Sequence, residues 1–99
     1  MELNKIYNID CKKGLKMLSE NFCDVAFTSV MKYEVAEWFI NNFTKKGEVI
    51  IDPFMGCGTT AIACENLGRN WLGFEICKEY VDMANERIEK ATRQFKIEL

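Results

Sequence analysis

Apolar and polar positions follow two rhythms along this chain, and the rhythms alternate. Lys5–Ile9 (KIYNI) predicts a short strand carrying Ile6, Tyr7 and Ile9. Lys12–Glu20 places Leu15, Met17 and Leu18 on a helical period, weakened by Gly14. Asp24–Ser29 (DVAFTS) is a short apolar strand. Tyr33–Lys45 sets Val35, Trp38, Phe39 and Phe43 on one helix face, and Lys45-Lys46-Gly47 supplies the cations and the glycine that a helix end prefers. Glu48–Asp52 (EVIID) has three consecutive β-branched residues, as a parallel strand covered on both faces would. Gly58–Leu67 reads as a helix opened by a glycine-rich turn and closed by Gly68, and Asn70–Glu75 (NWLGFE) as another strand. Cys77–Phe95 is the longest helix. Cys77, Val81, Ala84, Ile88, Ala91 and Phe95 form its inner stripe, with Glu86/Lys90 and Glu89/Arg93 as outer i,i+4 pairs. Four strands alternating with four helices predict an α/β fold with a parallel sheet and crossover helices.

Composition narrows the function more than the fold. Ninety-nine residues make one domain, and 48% apolar with 12% aromatic residues suit a globular core. Thirteen basic against fifteen acidic residues leave a net charge of −2, which excludes a strongly basic nucleic-acid clamp. There is no histidine, so the commonest general base and the commonest metal ligand are both missing. The five cysteines (Cys11, Cys23, Cys57, Cys64, Cys77) show no C-x-x-C spacing. They read as reduced thiols of a cytoplasmic protein, and no metal site is expected. No apolar run approaches the ~18 residues of a membrane span, and Met1–Asp10 does not resemble a secretion signal.

The chemistry concentrates in Ile50–Glu75, IIDPFMGCGTTAIACENLGRNWLGFE. A buried strand ends in Asp52, a turn with Gly56 and Gly58 leads into a helix, and the next strand ends in Glu75. Glycines let a backbone approach a ligand closely, and the first N–H groups of a helix face it. An acid at the tip of the next strand accepts hydrogen bonds from ribose hydroxyls. A tight strand-to-helix turn with no ligand would need the same glycines. A phosphate-binding P-loop is excluded, because no lysine lies near Gly58.

The segment DPFMGCGTTAIACENLGRNWLGFE resembles the methyl-donor-binding region of the DNA amino-methyltransferases, which modify adenine or cytosine amino nitrogens. The family pattern is D-P-F-x-G-x-G-T-T, a helix, then G-R-x-x-x-G-x-E. Here it is supplied by Asp52, Pro53, Phe54, Gly56, Gly58, Thr59, Thr60, Gly68, Arg69, Gly73 and Glu75. The resemblance implies that Phe54 to Thr60 wrap S-adenosylmethionine and that Glu75 holds its ribose. Upstream, Asn4–Ser29 is similar to the opening of the family's permuted order, in which the catalytic strand precedes the cofactor strand. That implies a place for Asp10 near the donor adenine and adds Ser29 to the donor-binding positions. The donor residues so implied are Asp10, Ser29, Asp52, Phe54, Gly56, Gly58, Thr59, Thr60 and Glu75. The implied fold is a minimal Rossmann-like methyltransferase core, its four-stranded, mainly parallel sheet flanked by helices on both faces. In chain numbering its strand order is first, fourth, third, second.

The departures from the family are specific. Its catalytic P-P-Y should follow Phe27-Thr28-Ser29, but Val30-Met31-Lys32 stands there and Tyr33 comes one position late. The long family segment with further strands and a target-recognition region has no counterpart before the next helix. No catalytic residue is therefore assigned. The expectation is a degenerate methyltransferase that retains a weak S-adenosylmethionine site, with no DNA binding by the chain alone. Two alternatives stay open: a small phage-type inhibitor of a host defence system using the fold as a scaffold, and one part of a split methyltransferase. The strand at Asp24–Ser29 becomes an edge, so a homodimer or a protein partner is expected along Asp24–Met31.

Overall fold

The computed structural model describes residues 1–19, 21–26 and 32–98, with the backbone alone at 25, 26 and 96–98. The chain runs β1 (Lys5–Tyr7), α1 (Cys11–Lys16), β2 (Val25–Ala26), α2 (Tyr33–Phe43), β3 (Val49–Asp52), α3 (Thr59–Leu67), β4 (Asn70–Phe74), α4 (Lys78–Glu98). The sheet order is β1-β4-β3-β2 and every pairing is parallel. This is the expected order. Ile50 stands opposite Trp71 and Ile51 opposite Leu72, so each strand sends alternate residues to opposite faces.

The two faces are covered unequally. Ile50 and Trp71 pack with Ala36 and Ile40 of α2 and with Ala61, Ala63 and Cys64 of α3, while Ile88 of α4 joins from the side. On the other face Ile51, Leu72 and Phe74 pack with Tyr7, Ile9, Leu18, Phe22 and Cys23. There a groove of about 400 Å³ remains between Leu15, Leu18, Phe22 and Ile51. No helix among the described residues is long and apolar enough to cross a membrane.

Several elements differ from the sequence expectation for identifiable reasons. Helix α1 stops at Lys16 instead of Glu20, and beyond it Asn21 takes a left-handed conformation (φ 58°). Gly14, which weakens the helical pattern, is the residue that lets α1 touch the sheet. A Cβ there would lie 2.8 Å from ring atoms of buried Phe74. Residues 27–29 of the predicted second strand lie outside the described residues.

In α2 the buried residues are Ala36 and Ile40, and neither belongs to the stripe of Val35, Trp38, Phe39 and Phe43. Trp38 is 56% and Phe43 62% exposed, and both rings contact Phe39 on the outer side. The small Ala36 lets α2 approach α3, and bulky rings would hold the two helices apart.

The end of α2 also departs from expectation. The helix stops at Phe43 with no cation in its last turn. Arg69, buried after α3, supplies that charge instead. Its guanidinium donates to Thr44 O at 2.7 Å, to Leu67 O at 2.8 Å and, from Nε, to Thr44 Oγ1 at 2.9 Å. The last carbonyls of a helix lack intrahelical partners, and a cation there also meets the negative end of the helix dipole. One side chain thus satisfies the ends of both α2 and α3. The i,i+4 pairs Glu86–Lys90 (3.1 Å) and Glu89–Arg93 (3.8 Å) form as expected, but their exposure limits each to a few tenths of a kcal/mol.

Replacing Gly14 by Ala sets two effects against each other. Helix propensity favours Ala by about 1 kcal/mol, whereas overpacking against Phe74 costs about 1–3 kcal/mol. Because Phe74 is fully buried, the ring has little room to yield. Gly14→Ala is expected to lower the urea midpoint, and an unchanged or raised midpoint would show that α1 can lift off the sheet cheaply.

Candidate functional site

All strands being parallel, the chain leaves β1, β3 and β4 at one edge of the sheet. Asp52 ends β3 there and is 1% exposed. Its Oδ1 accepts the Phe54 N–H at 3.0 Å and its Oδ2 the Thr60 hydroxyl at 2.7 Å. The carboxylate therefore ties the strand end to both the turn and the first turn of α3. Between them Gly56 (φ 58°) and Gly58 (φ 89°) take left-handed conformations, which favour glycine. Gly58 is the N-cap of α3 and has no side chain to offer it, so nothing of its own blocks the outward face of the first N–H groups.

Glu75 follows β4 and reaches across to this turn. Its Oε1 accepts the Gly56 N–H at 2.9 Å, and its Oε2 accepts the N–H of Cys77, just before α4, at 2.9 Å. The second bond orders the start of α4 although Cys77 itself is a poor cap. The Glu75 backbone is fixed from β1: its N–H donates to Tyr7 O at 3.1 Å, and the Asn8 amide donates to Glu75 O and Ile76 O at 2.9 and 3.0 Å. From the same strand end Asp10 caps α1, its Oδ1 accepting the Lys12 N–H at 3.0 Å.

These elements enclose a cleft of about 70 Å³ lined by Asp10, Cys11, Pro53, Phe54, Glu75 and Ile76. Phe54 (61% exposed) and Ile76 (72% exposed) present apolar surface at its rim. Pockets that enclose a drug-sized ligand hold about 300–1,000 Å³, so only part of such a ligand fits inside this cleft. The remainder would lie across the glycine turn.

Of the residues implied by the sequence, Asp10, Phe54 and Glu75 line the cleft, and Gly56 and Gly58 form the turn beside it. Thr59 is half-buried at the start of α3. Asp52 and Thr60 bond to each other and shape the turn from beneath. Ser29 lies outside the described residues. Cys11, Ile76 and Asn8 are additions. Ile76 was legible as the neighbour of Glu75, whereas nothing in the sequence marks Asn8. Among the described residues no group of three or more acidic or cysteine side chains is disposed to hold a metal.

The thiols near the site differ in environment. Cys57, at the tip of the turn, is exposed, while Cys64 in α3 is fully buried. Burial above all, with the nearby Glu65 and Asp52 carboxylates adding to it against Arg69, pushes the Cys64 thiol up to about 12. At pH 8 its thiolate is then only about one part in ten thousand. Iodoacetamide at that pH should modify Cys57 first and leave Cys64 intact until the protein unfolds, as peptide mapping by mass spectrometry would read.

The chain is similar in sequence and structure to DNA methyltransferases. The family model described as DNA methylase, the N6/N4 methyltransferases, matches residues 2–86. The chain is 41% identical over 61 residues to the orphan methyltransferase M.BamHII of Bacillus amyloliquefaciens, covering 62% of this chain and 23% of that one. It is 46% identical over 46 residues to the type II methyltransferase M2.DpnII of Streptococcus pneumoniae, covering 46% and 17%. Among solved structures, the Thermus thermophilus protein TTHA0409, complexed with S-adenosyl-L-methionine, superposes with a TM-score of 0.61 at 39% identity over 63% of this chain and 26% of its own. The PvuII cytosine-N4-specific DNA methyltransferase superposes with a TM-score of 0.55 at 25% identity over 68% and 27%. The chain spans less than a third of the length of each of these relatives.

Proposed function

The chain belongs to the DNA methylase family, and on that premise we propose that it binds S-adenosylmethionine at the glycine turn without transferring its methyl group to DNA. The observation that carries the reading is the Glu75 carboxylate, held against the turn by the Gly56 N–H and facing the cleft with Asp10 and Phe54. Relatives solved with S-adenosylmethionine support it.

Each Glu75 oxygen uses one acceptor site on a backbone N–H. A carboxylate has about four such sites, so two stay available for a ribose diol. Phe54 and Ile76 offer apolar surface to a flat base, and Asp10 offers an acceptor to an exocyclic amine. The first N–H groups of α3 suit the donor's carboxylate. When bound, the donor would supply an activated methyl group. The residues that would place an amino nucleophile against it are not in this sequence, because Val30-Met31-Lys32 replaces the P-P-Y of the family. Positioning and electrostatic stabilisation of the nucleophile are then lost together.

Calorimetry at high ligand concentration should give weak binding of S-adenosylmethionine. Glu75→Ala should weaken it about ten- to a hundredfold, the scale of one hydrogen bond to a charged group. Glu75→Gln, which keeps one acceptor, should lie between the two. No heat at millimolar ligand would favour the alternative of a scaffold that inhibits a host defence system. Tritiated methyl donor should label no mixed-sequence duplex DNA, and incorporation above a Gly58→Val control would overturn the reading as a degenerate enzyme.

We further propose that the β2 side of the molecule seats a second copy of the chain. β2 ends the sheet, and α2 lies outermost on its own face, packing on α3, which packs on α4 near β1. Trp38 and Phe43 of α2 are exposed, and no described strand pairs with the outer edge of β2. An isologous pair would present this one patch to itself. Residues 27–31 of the expected interface lie outside the described residues. Light scattering at tens of micromolar should give twice the monomer mass, and Trp38→Lys should return it to a folded monomer whose thermal midpoint, unlike that of wild type, does not rise with protein concentration. A monodisperse wild-type monomer would remove the homodimer.

A further inference from the structure

We propose that Arg87 is a positioning residue for the glycine turn, and through it for the methyl donor. The inference rests on the reading that this turn cradles the donor. Arg87 lies on α4, one residue beyond the region matched by the family. Its Nη1 donates to the Cys57 carbonyl at 2.6 Å, a short, charge-assisted hydrogen bond.

Cys57 lies between the two left-handed glycines. In a planar trans peptide the C=O and the following N–H point in opposite directions. Holding Cys57 O towards Arg87 therefore turns the Gly58 N–H away from it, onto the Met55 carbonyl at 3.1 Å. That bond closes the turn. The same stretch of α4 also supports it sterically, since a Cβ at position 58 would lie 3.1 Å from Ala84 Cβ and 3.3 Å from Ile88 Cδ1. Residues 84, 87 and 88 are neighbours on one helix face. The turn is thus held at Gly56 by an acid and at Cys57 by a base.

This matters because two glycines leave a turn many conformations. Apparent affinity falls with the fraction of molecules in the competent one. Arg87 raises that fraction without touching the ligand.

Three variants test the proposal. Arg87→Met keeps the stem and removes the donors, Arg87→Lys keeps the charge and a donor, and Arg93→Met removes an exposed arginine elsewhere on α4. In the free protein, amide hydrogen exchange at Gly58 should quicken about tenfold in Arg87→Met, while exchange at Ile51 in β3 stays unchanged. The dissociation constant for S-adenosylmethionine should rise about five- to tenfold, while unfolding stays a single cooperative transition. Arg87→Lys should recover most of both effects, and Arg93→Met should match wild type. Unchanged Gly58 exchange in Arg87→Met would overturn the proposal, and so would faster exchange with unchanged affinity. If wild type binds no S-adenosylmethionine, the donor reading fails, and exchange at Gly58 alone decides whether Arg87 holds the turn.

Discussion

Parallel pairing is the constraint on which the site depends. A parallel strand can be followed by its neighbour only after a crossover, so every strand finishes at the same edge of the sheet. Tyr7 pairs with Phe74 and Asp52 with Gly73, which brings three separate stretches of chain together at that edge. The loops after β1, β3 and β4 bring Asp10, Phe54 and Glu75 to one cleft. None of these residues is near another of the three in sequence except through that register. Ligand sites in open α/β sheets lie outside the carboxyl ends of the strands for this geometric reason.

Acids near the cleft serve the backbone first. Asp52 and Glu75 each accept at least one main-chain N–H, and Asp10 accepts another as a helix cap. A buried carboxylate is costly unless it is hydrogen-bonded, and these bonds offset that cost while fixing the turns. The ligand-facing geometry and the local fold are therefore one set of interactions. A substitution at Glu75 loosens the glycine turn and the start of α4 together, so affinity and local order respond together.

Much of this was legible in the sequence because the signals are local. The β-branched run at Val49–Ile51, the glycines at 56 and 58 and the acid at 75 each announce their own structure, and the strand order followed from family resemblance. What stayed hidden depends on distant partners. The apolar stripe of α2 does not mark its buried face, because apolar periodicity does not say which neighbour is close enough to touch. Ala36 and Ile40 take that place because α3 packs tightly there. Lys45 and Lys46 resembled the natural end of α2, yet the carbonyls are met by Arg69, which no local rule connects to Thr44. Gly14 looked like a defect in a helix until Phe74 appeared beneath it.

The pairing of β1 with β4 has a consequence in time. Lys5 finds its partner in Leu72, so β1 is made well before the strand that secures it. During synthesis β1 must wait until β4 has been made. Contacts between residues so far apart must be found after a long loop has closed, which slows folding. Until then β3 has no neighbour on its β4 side, and Ile51 has no Leu72 beside it. Apolar segments exposed in this way are prone to aggregate, so the chain is most vulnerable on the ribosome, just before Asn70–Phe74 emerges.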